Sequence, residues 1–380
     1  MSTNQKEMRK VYPFSFYGKS SEYFSIWIVN LFLNIITLGI YFPWSLVKEW
    51  RYFYENTELA GNRFELYAKP TEILNFILMV FGCVFLMMLP FVNIIVMFAL
   101  FCTMPLIIIK IIGYICRSTG FRGTRFGYCC KPGEAYVSCL AWPFLTLIVV
   151  MVPMGAIITS ILHHRDATAL NFILLSVFFV PFFIVRWAIQ NYLYMKMIIN
   201  NLLIGRARFA GDFKKSAFIK YHFYAFILSI PFFLVAAKIM LTSAVEMESV
   251  VQAAKTGSSP LPFQFIFHVY GGLLVILLGN YICSLFLRVS LTNYVCRNAV
   301  LDGDIRITST MSYSGYFKLA LLNLVMVMCS FGLCIPHTQI RTAKYLAQCI
   351  AIEGDIDRII PEPSEPVAGT TDDLRANISF

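Results

Sequence analysis

Charge is scarce in this chain: only 14% of its 380 residues are Asp, Glu, Lys or Arg, where a soluble domain carries about 25%. That scarcity excludes a water-soluble globular protein. Histidine is scarcer still, at positions 163, 164, 222, 268 and 337. His163 and His164 lie near Asp166, but adjacent imidazoles point to different sides of a helix and no third ligand follows at useful spacing, so no metal site is expected. The eleven cysteines include no C-x-x-C pair, which argues against a zinc site, and none falls in the segments assigned below to the outer face, which argues against a disulfide framework. No G-x-S-x-G, H-E-x-x-H, P-loop or G-x-G-x-x-G string occurs, and no paired carboxylates stand at catalytic spacing. The expectation is a non-enzyme without a cofactor. Formal charge is +10, yet no RNP, zinc-finger or helix-turn-helix pattern accompanies it, so nucleic acid is not an expected partner.

What the chain has in abundance is apolar length. Hydrophobic residues make up 58% of it, mean hydropathy is +0.69, and there are 35 Phe. The apolar runs extend over roughly 17 to 28 residues, enough to cross a hydrocarbon core of about 30 Å. They lack the two-residue alternation of a transmembrane barrel, and in lipid each backbone polar group must then be satisfied within its own helix. The predicted fold is therefore an all-α polytopic membrane protein. Lys6, Arg9, Lys10 and Lys19 precede the first apolar run, which is too long for a signal-peptide core and has no A-x-A site after it, so no cleaved leader is expected.

The chain repeats itself. A shift of 293 positions places Tyr23, Asn30, Gly39, Pro43, Tyr52 and Gly61 on Tyr316, Asn323, Gly332, Pro336, Tyr345 and Gly354. A shift of 62 places Pro43, Lys48, Tyr52, Gly61, Arg63 and Phe64 on Pro105, Lys110, Tyr114, Gly123, Arg125 and Phe126. Each unit opens with a short strand-like stretch, Phe14 to Lys19, Phe64 to Lys69, Phe126 to Lys131 and Phe209 to Lys214, with Ile307 to Ser312 in the fifth copy. An apolar helical pair follows. The reading divides the chain into a tail 1–13, one membrane domain 14–356 of five repeats (14–63, 64–125, 126–208, 209–306 and 307–356), and a disordered acidic tail 357–380. Asp302-Gly303 has the residues of a two-residue hairpin turn, and Gly61, Gly123 and Gly205 take similar places. Tandem helical hairpins with a small cytoplasmic β layer complete the expected architecture.

Lys and Arg number eighteen in the linkers 48–72, 117–134, 196–220 and 288–318, against only Arg165 and Lys255 in the opposite loops near 90–93, 162–169 and 244–262. That asymmetry puts the strand-bearing linkers in the cytoplasm. Three full hairpins are expected, 73–90 with 93–116, 136–161 with 170–193, and 218–243 with 263–288. The first and last apolar segments, 22–47 and 315–340, read either as re-entrant hairpins broken at Leu38–Pro43 and Phe331–Pro336 or as single spans.

Ionisable and amide groups inside apolar runs are the candidate functional residues, because burying a charge in hydrocarbon costs about 2.5 to 3.5 kcal/mol even on the lenient scale. Arg186, Gln190 and Tyr194 share one helical stripe with Asn191 beside it, and with Asn30, Asn323 and Asn280 they make a candidate polar seam. Arg186 has an alternative role, snorkelling to the cytoplasmic surface. A recurring cation and tyrosine four residues apart, Lys48 with Tyr52, Lys110 with Tyr114 and Arg341 with Tyr345, reads as interfacial anchors or as contacts to lipid headgroups.

The stretch FSFYGKSSEYFSIWIVNLFLNIITLGIYFPWSLVKEWRYFYENTELAGNRF, with the Thr37–Trp44 string at its centre, resembles the opening of the YjgN family of bacterial inner-membrane proteins. RVSLTNYVCRNAVLDGDIRITSTMSYSG resembles that family's carboxyl half. The resemblance implies a bacterial cytoplasmic membrane and supplies no activity, substrate or catalytic residue. The residues themselves point to a transporter or binder of a small solute or lipid acting through the polar seam. The alternative is a non-transporting anchor whose basic cytoplasmic face holds anionic lipid or a protein partner. Membrane lipids are the expected partners, with anionic headgroups at the cytoplasmic face.

Overall fold

The computed structural model describes residues 10–151, 155, 169–255 and 263–359. Ten short strands alternate with pairs of helices. β1 (Val11–Phe16) leads into α1 (Ser20–Ile36) and α2 (Phe42–Glu55), which return to β2 (Thr57–Leu59). β3 (Asn62–Leu66) carries α3 (Pro70–Met87) and α4 (Val92–Arg117) back to β4 (Thr119–Phe121). β5 (Thr124–Tyr128) leads into α5 (Pro132–Met151), and α6 (Ala169–Asn200) returns to β6 (Leu202–Ile204). β7 (Ala207–Gly211) carries α7 (Lys215–Lys255) and α8 (Phe263–Asn298) to β8 (Ala299–Leu301). β9 (Ile305–Ser309) carries α9 (Tyr313–Cys329) and α10 (Ile335–Cys349) to β10 (Ile350–Glu353), and the short α11 (Ile356–Ile359) follows.

The strands close into one antiparallel barrel, in which β1 pairs with both β2 and β10. This corrects the expected fold class, since the β structure is a complete ten-strand barrel rather than a small layer on an all-α protein. Strands of three to six residues are too short to show a period of two, and nothing local announces that the first strand must pair with the last. Closure removes the unpaired edges that an open sheet of ten strands would leave. The residues that open the expected strand-like stretches face neighbouring strands of the barrel. Phe14 faces Leu59, Phe64 faces Phe121, Phe126 faces Ile204, Phe209 faces Leu301 and Ile307 faces Ile352 across neighbouring strands. Leu59, Phe121, Ile204 and Leu301 form one buried core, with the four Phe packed against it. Ile356 of α11 joins that core at 2% exposure, so the last described helix stops one mouth of the barrel.

Hairpin turns Ala60-Gly61, Arg122-Gly123 and Asp302-Gly303 place both residues at positive φ, the twist that matches right-handed strands. The same conformation breaks the outer helical pairs: Leu38-Gly39 has φ of 51° and 87°, and Phe331-Gly332 has 50° and 91°. Both pairs therefore start and finish at the barrel, with the helix break between.

Five described helical segments are long and apolar enough to cross a membrane: Pro70–Met87, Val92–Arg117, Pro132–Met151, Lys215–Thr242 and Ile266–Asn298. The expected loop 244–262 is helical through Lys255; the Ala, Glu, Met and Gln there are strong helix formers. The expected loop 162–169 lies outside the described residues except for Ala169, which starts α6, as do His163, His164 and Asp166.

Helix packing follows chain order all the way round. Each helix from α1 to α10 packs on its sequence neighbour, and α10 packs back on α1. The membrane part is thus a closed circle of helices standing on a closed circle of strands. α3 has no buried residue along its 18, and α4 buries only Pro105 and Gly113. Helices in a solid bundle bury a full face, so this part of the wall is one helix thick.

Candidate functional site

The polar residues of the apolar segments join neighbouring helices of the circle. Asn30, 2% exposed, donates to the Ser45 carbonyl at 3.4 Å, and Asn34 donates to Ser45 Oγ at 3.1 Å, tying α1 to α2. At the matching place in the last unit, Asn323 donates to Thr342 Oγ1 at 3.0 Å, tying α9 to α10. Arg186 Nε donates to Thr146 Oγ1 at 3.0 Å while its guanidinium lies 4.8 Å from the Trp187 ring, and Gln190 Nε2 donates to the Ser138 carbonyl at 2.8 Å. Both bonds tie α6 to α5. Asn191 meets His222 Nε2 at 2.9 Å, tying α6 to α7. Tyr194 packs half-buried against the Ala135 and Cys139 side of α5. Asn280 is exposed on α8.

Arg186, Gln190, Asn191 and Tyr194 thus gather in the third unit. Asn30 and Asn323 sit in the first and last units, which are neighbours because the circle closes there. Each forms a bond between two adjacent helices, so the amides act as rivets along separate seams. Glu49 places its carboxyl beside the Tyr23 hydroxyl and the Asn30 amide. Its signal was its spacing: Ser45, Glu49 and Tyr52 lie on one face of α2, toward α1.

The recurring tyrosines occupy a single structural position. Tyr52 Oη accepts from the Lys19 amide at 2.8 Å and donates to the Lys19 carbonyl at 3.0 Å. Tyr114 does the same at Lys69, at 3.2 and 3.3 Å. Tyr294 accepts from the Lys214 amide at 2.9 Å, and Tyr345 donates to the Ser312 carbonyl at 3.3 Å. Each hydroxyl fastens the returning helix to the residue where strand becomes helix; where it accepts from the amide there, it uses an N–H that the helix start leaves unpaired. Of the cations, Lys48 meets the Tyr41 hydroxyl at 2.6 Å, Arg341 lies 3.2 Å from Met326 Sδ, and Lys110 is exposed.

Sequence reading missed a basic collar. Arg63, Arg125, Arg208 and Arg306 each precede an inward-facing Phe or Ile, and alternation along the strand turns all four outward. The repeated Arg-Phe and Arg-Ile pairs were the available signal. Arg125 lies 4.3 Å from the Tyr67 ring; the hydrogen bond from the Tyr67 hydroxyl to Glu65 holds that phenol above its usual range. At the barrel mouth, Arg122 is bridged to Asp357 at 2.6 Å, with the Arg122 side chain only 2% exposed. Among the described residues no group of three His, Cys, Asp or Glu is placed to hold a metal.

Residues 11–374 match the family described as bacterial protein of unknown function (DUF898). The chain is 27% identical over 373 residues to the inner membrane protein YjgN of Escherichia coli O157:H7, covering 91% of this chain and 89% of that protein. It is 26% identical to its counterpart in Escherichia coli K12, with the same coverage, and 25% identical to that of Salmonella typhimurium LT2, covering 90% and 89%. No solved structure matches the chain. Together with five helices able to cross a bilayer, these relatives place the protein in the bacterial inner membrane. The chain belongs to the DUF898 family of bacterial proteins, whose resemblance was carried in the sequence by the Thr37–Trp44 string and its surroundings.

Proposed function

We propose that the protein holds lipid within its circle of helices, with the strand barrel as a closed floor on the cytoplasmic side. The observation that carries this reading is α3, which buries none of its 18 residues although helices flank it on both sides. A wall one helix thick has an inner surface as well as an outer one. Residues exposed on α3 and α4, including Phe81, Phe85, Ile94, Ile95 and Phe98, are apolar, so the inner surface suits acyl chains better than ions or sugars. Ten helix axes about 9 Å apart on a regular circle would lie roughly 15 Å from its centre, leaving room about 20 Å across once the helices' own radius is removed. The Phe-filled barrel and Ile356 would stop such a space at one end. Cytoplasmic placement of the barrel rests on the eighteen Lys and Arg of the linkers.

The test is to purify the full chain, exchange it through detergent to constant composition, and measure phospholipid phosphorus per protein. Several lipids retained per chain is the expected result; none retained would overturn the reading.

A second reading rests on the outward Arg63, Arg125, Arg208 and Arg306. Such a collar suits an anionic surface, with the helices as anchor. Replacing all four by Gln would then lower binding of the protein to anionic vesicles while leaving lipid retention unchanged.

A further inference from the structure

We propose that the groove between α5 and α6, at the ends of these helices nearest the barrel, binds one phospholipid whose headgroup carries both a phosphate and a primary ammonium. This names a ligand class for the lipid-holding reading and rests on it.

The groove encloses about 290 Å³ and is lined by Glu134 and Ser138 of α5 and by Leu193, Lys196, Met197 and Asn200 of α6. Glu134 lies at the start of α5 and Asn200 ends α6, directly before β6, so the groove lies at headgroup depth. One acid and one base share it without an ion pair between them; the described ion pairs are Lys19 with Glu22 and Arg122 with Asp357. Glu134 accepts from Asn201 Nδ2 at 2.9 Å through one carboxylate oxygen. Opposite charges held apart across one groove complement a zwitterion, with the phosphate on Lys196 and the cation on Glu134.

At Ser138 the groove also meets a break in α5. Residues Val137–Ala141 form a π turn inside α5, an interruption that recurs at functional sites. There the Ser138 carbonyl accepts from Gln190. Gln190 is 4% exposed, and its Oε1 has no hydrogen-bond partner. A buried amide oxygen left without a donor is costly, about 1 to 3 kcal/mol. A primary ammonium brings three N–H donors to the Glu134 carboxylate, whereas a trimethylated ammonium brings none. A purely anionic headgroup would also set its phosphate on Lys196, but it would bring no cation to Glu134. Val137, Leu193 and Met197 supply apolar walls for the start of an acyl chain.

The test uses the full chain stripped of lipid in detergent and titrated with phosphatidylethanolamine, phosphatidylcholine and phosphatidylglycerol of identical chains, bound lipid being counted by native mass spectrometry. The ethanolamine lipid is expected to bind about tenfold more tightly than the choline lipid, the difference of one charge-assisted hydrogen bond. Glu134→Gln is expected to abolish that ratio, and Lys196→Gln to weaken both lipids. Should Glu134→Gln fail to fold, Lys196→Gln, at an exposed side chain, still decides the question. Equal binding of all three lipids, tightest binding of phosphatidylglycerol, or indifference to Lys196→Gln would overturn the assignment. Lipid retained without headgroup preference would overturn this inference alone, whereas no retained lipid at all would overturn the lipid-holding reading with it.

Discussion

At the scale of single residues, the most repeated device is a tyrosine hydroxyl that reaches across a helical pair to the point where strand turns into helix. Tyr52, Tyr114, Tyr294 and Tyr345 do this at Lys19, Lys69, Lys214 and Ser312. In the third unit Met197 stands at the corresponding place: the side chain of the Asn four residues later donates to its carbonyl, as Asn56 does to Tyr52 and Asn298 to Tyr294. The spacing of these tyrosines is legible in the sequence, but their partners are not, because Lys19 and Tyr52 meet only once the helical pair has folded back. Tyr294→Phe should cost about 1 kcal/mol, one neutral hydrogen bond, and Tyr52→Phe and Tyr114→Phe, which each lose two, about 1 to 2 kcal/mol. The losses should add in the triple variant, since the sites share no partner. Thermal unfolding in detergent reads this directly, and unchanged melting of the triple variant would rule the fastening role out.

At the scale of elements, the helices of the wall associate without help from water, so close backbone approach and seam hydrogen bonds must hold them together. α7 and α8 show the first means. A Cβ at Gly279 would lie 2.6 Å from Cβ of Phe232, and one at Gly272 would lie 3.1 Å from the Met240 side chain, whereas one at Gly271 would meet nothing within 4 Å. Gly279→Leu should therefore separate these helices at a cost of about 1 to 3 kcal/mol, while Gly271→Leu should be neutral or slightly stabilising because Gly is a poor helix former. The ratio of folded to aggregated protein in detergent, compared between the two variants, checks this. Similar losses for both would point to general intolerance of bulk rather than to one close approach.

At the scale of the whole molecule, barrel closure sets the topology. β1, β3, β5, β7 and β9 belong to one ring of strands, so every helical pair leaves from and returns to one membrane face. Cys129, exposed at the end of β5, reports which face that is. In a variant keeping only Cys129, an impermeant maleimide should label inverted inner-membrane vesicles and spare intact spheroplasts; the reverse pattern would put the barrel outside. Keeping only Cys130 should give slower labelling at pH 7 that accelerates as pH rises. Burial pushes that thiol above its ordinary range, and the thiolate is the reactive form. Composition alone excluded a soluble protein, and the positive-φ turns at Gly61, Gly123 and Gly303 could be placed by eye, because both properties belong to single residues and their immediate neighbours. The pairing of Val11 with Glu353 could not. Nor could the separation of Asn30, Arg186 and Asn323 into different seams, since their shared polarity in the sequence does not say which helix each will meet. The amino-acid order by itself determined that long apolar helices must alternate with short basic linkers, since hydrocarbon imposes that on every residue it touches. Only the tertiary structure decided that the linkers close into a barrel and the helices into a ring, because closure joins groups more than 340 positions apart and no local preference records it.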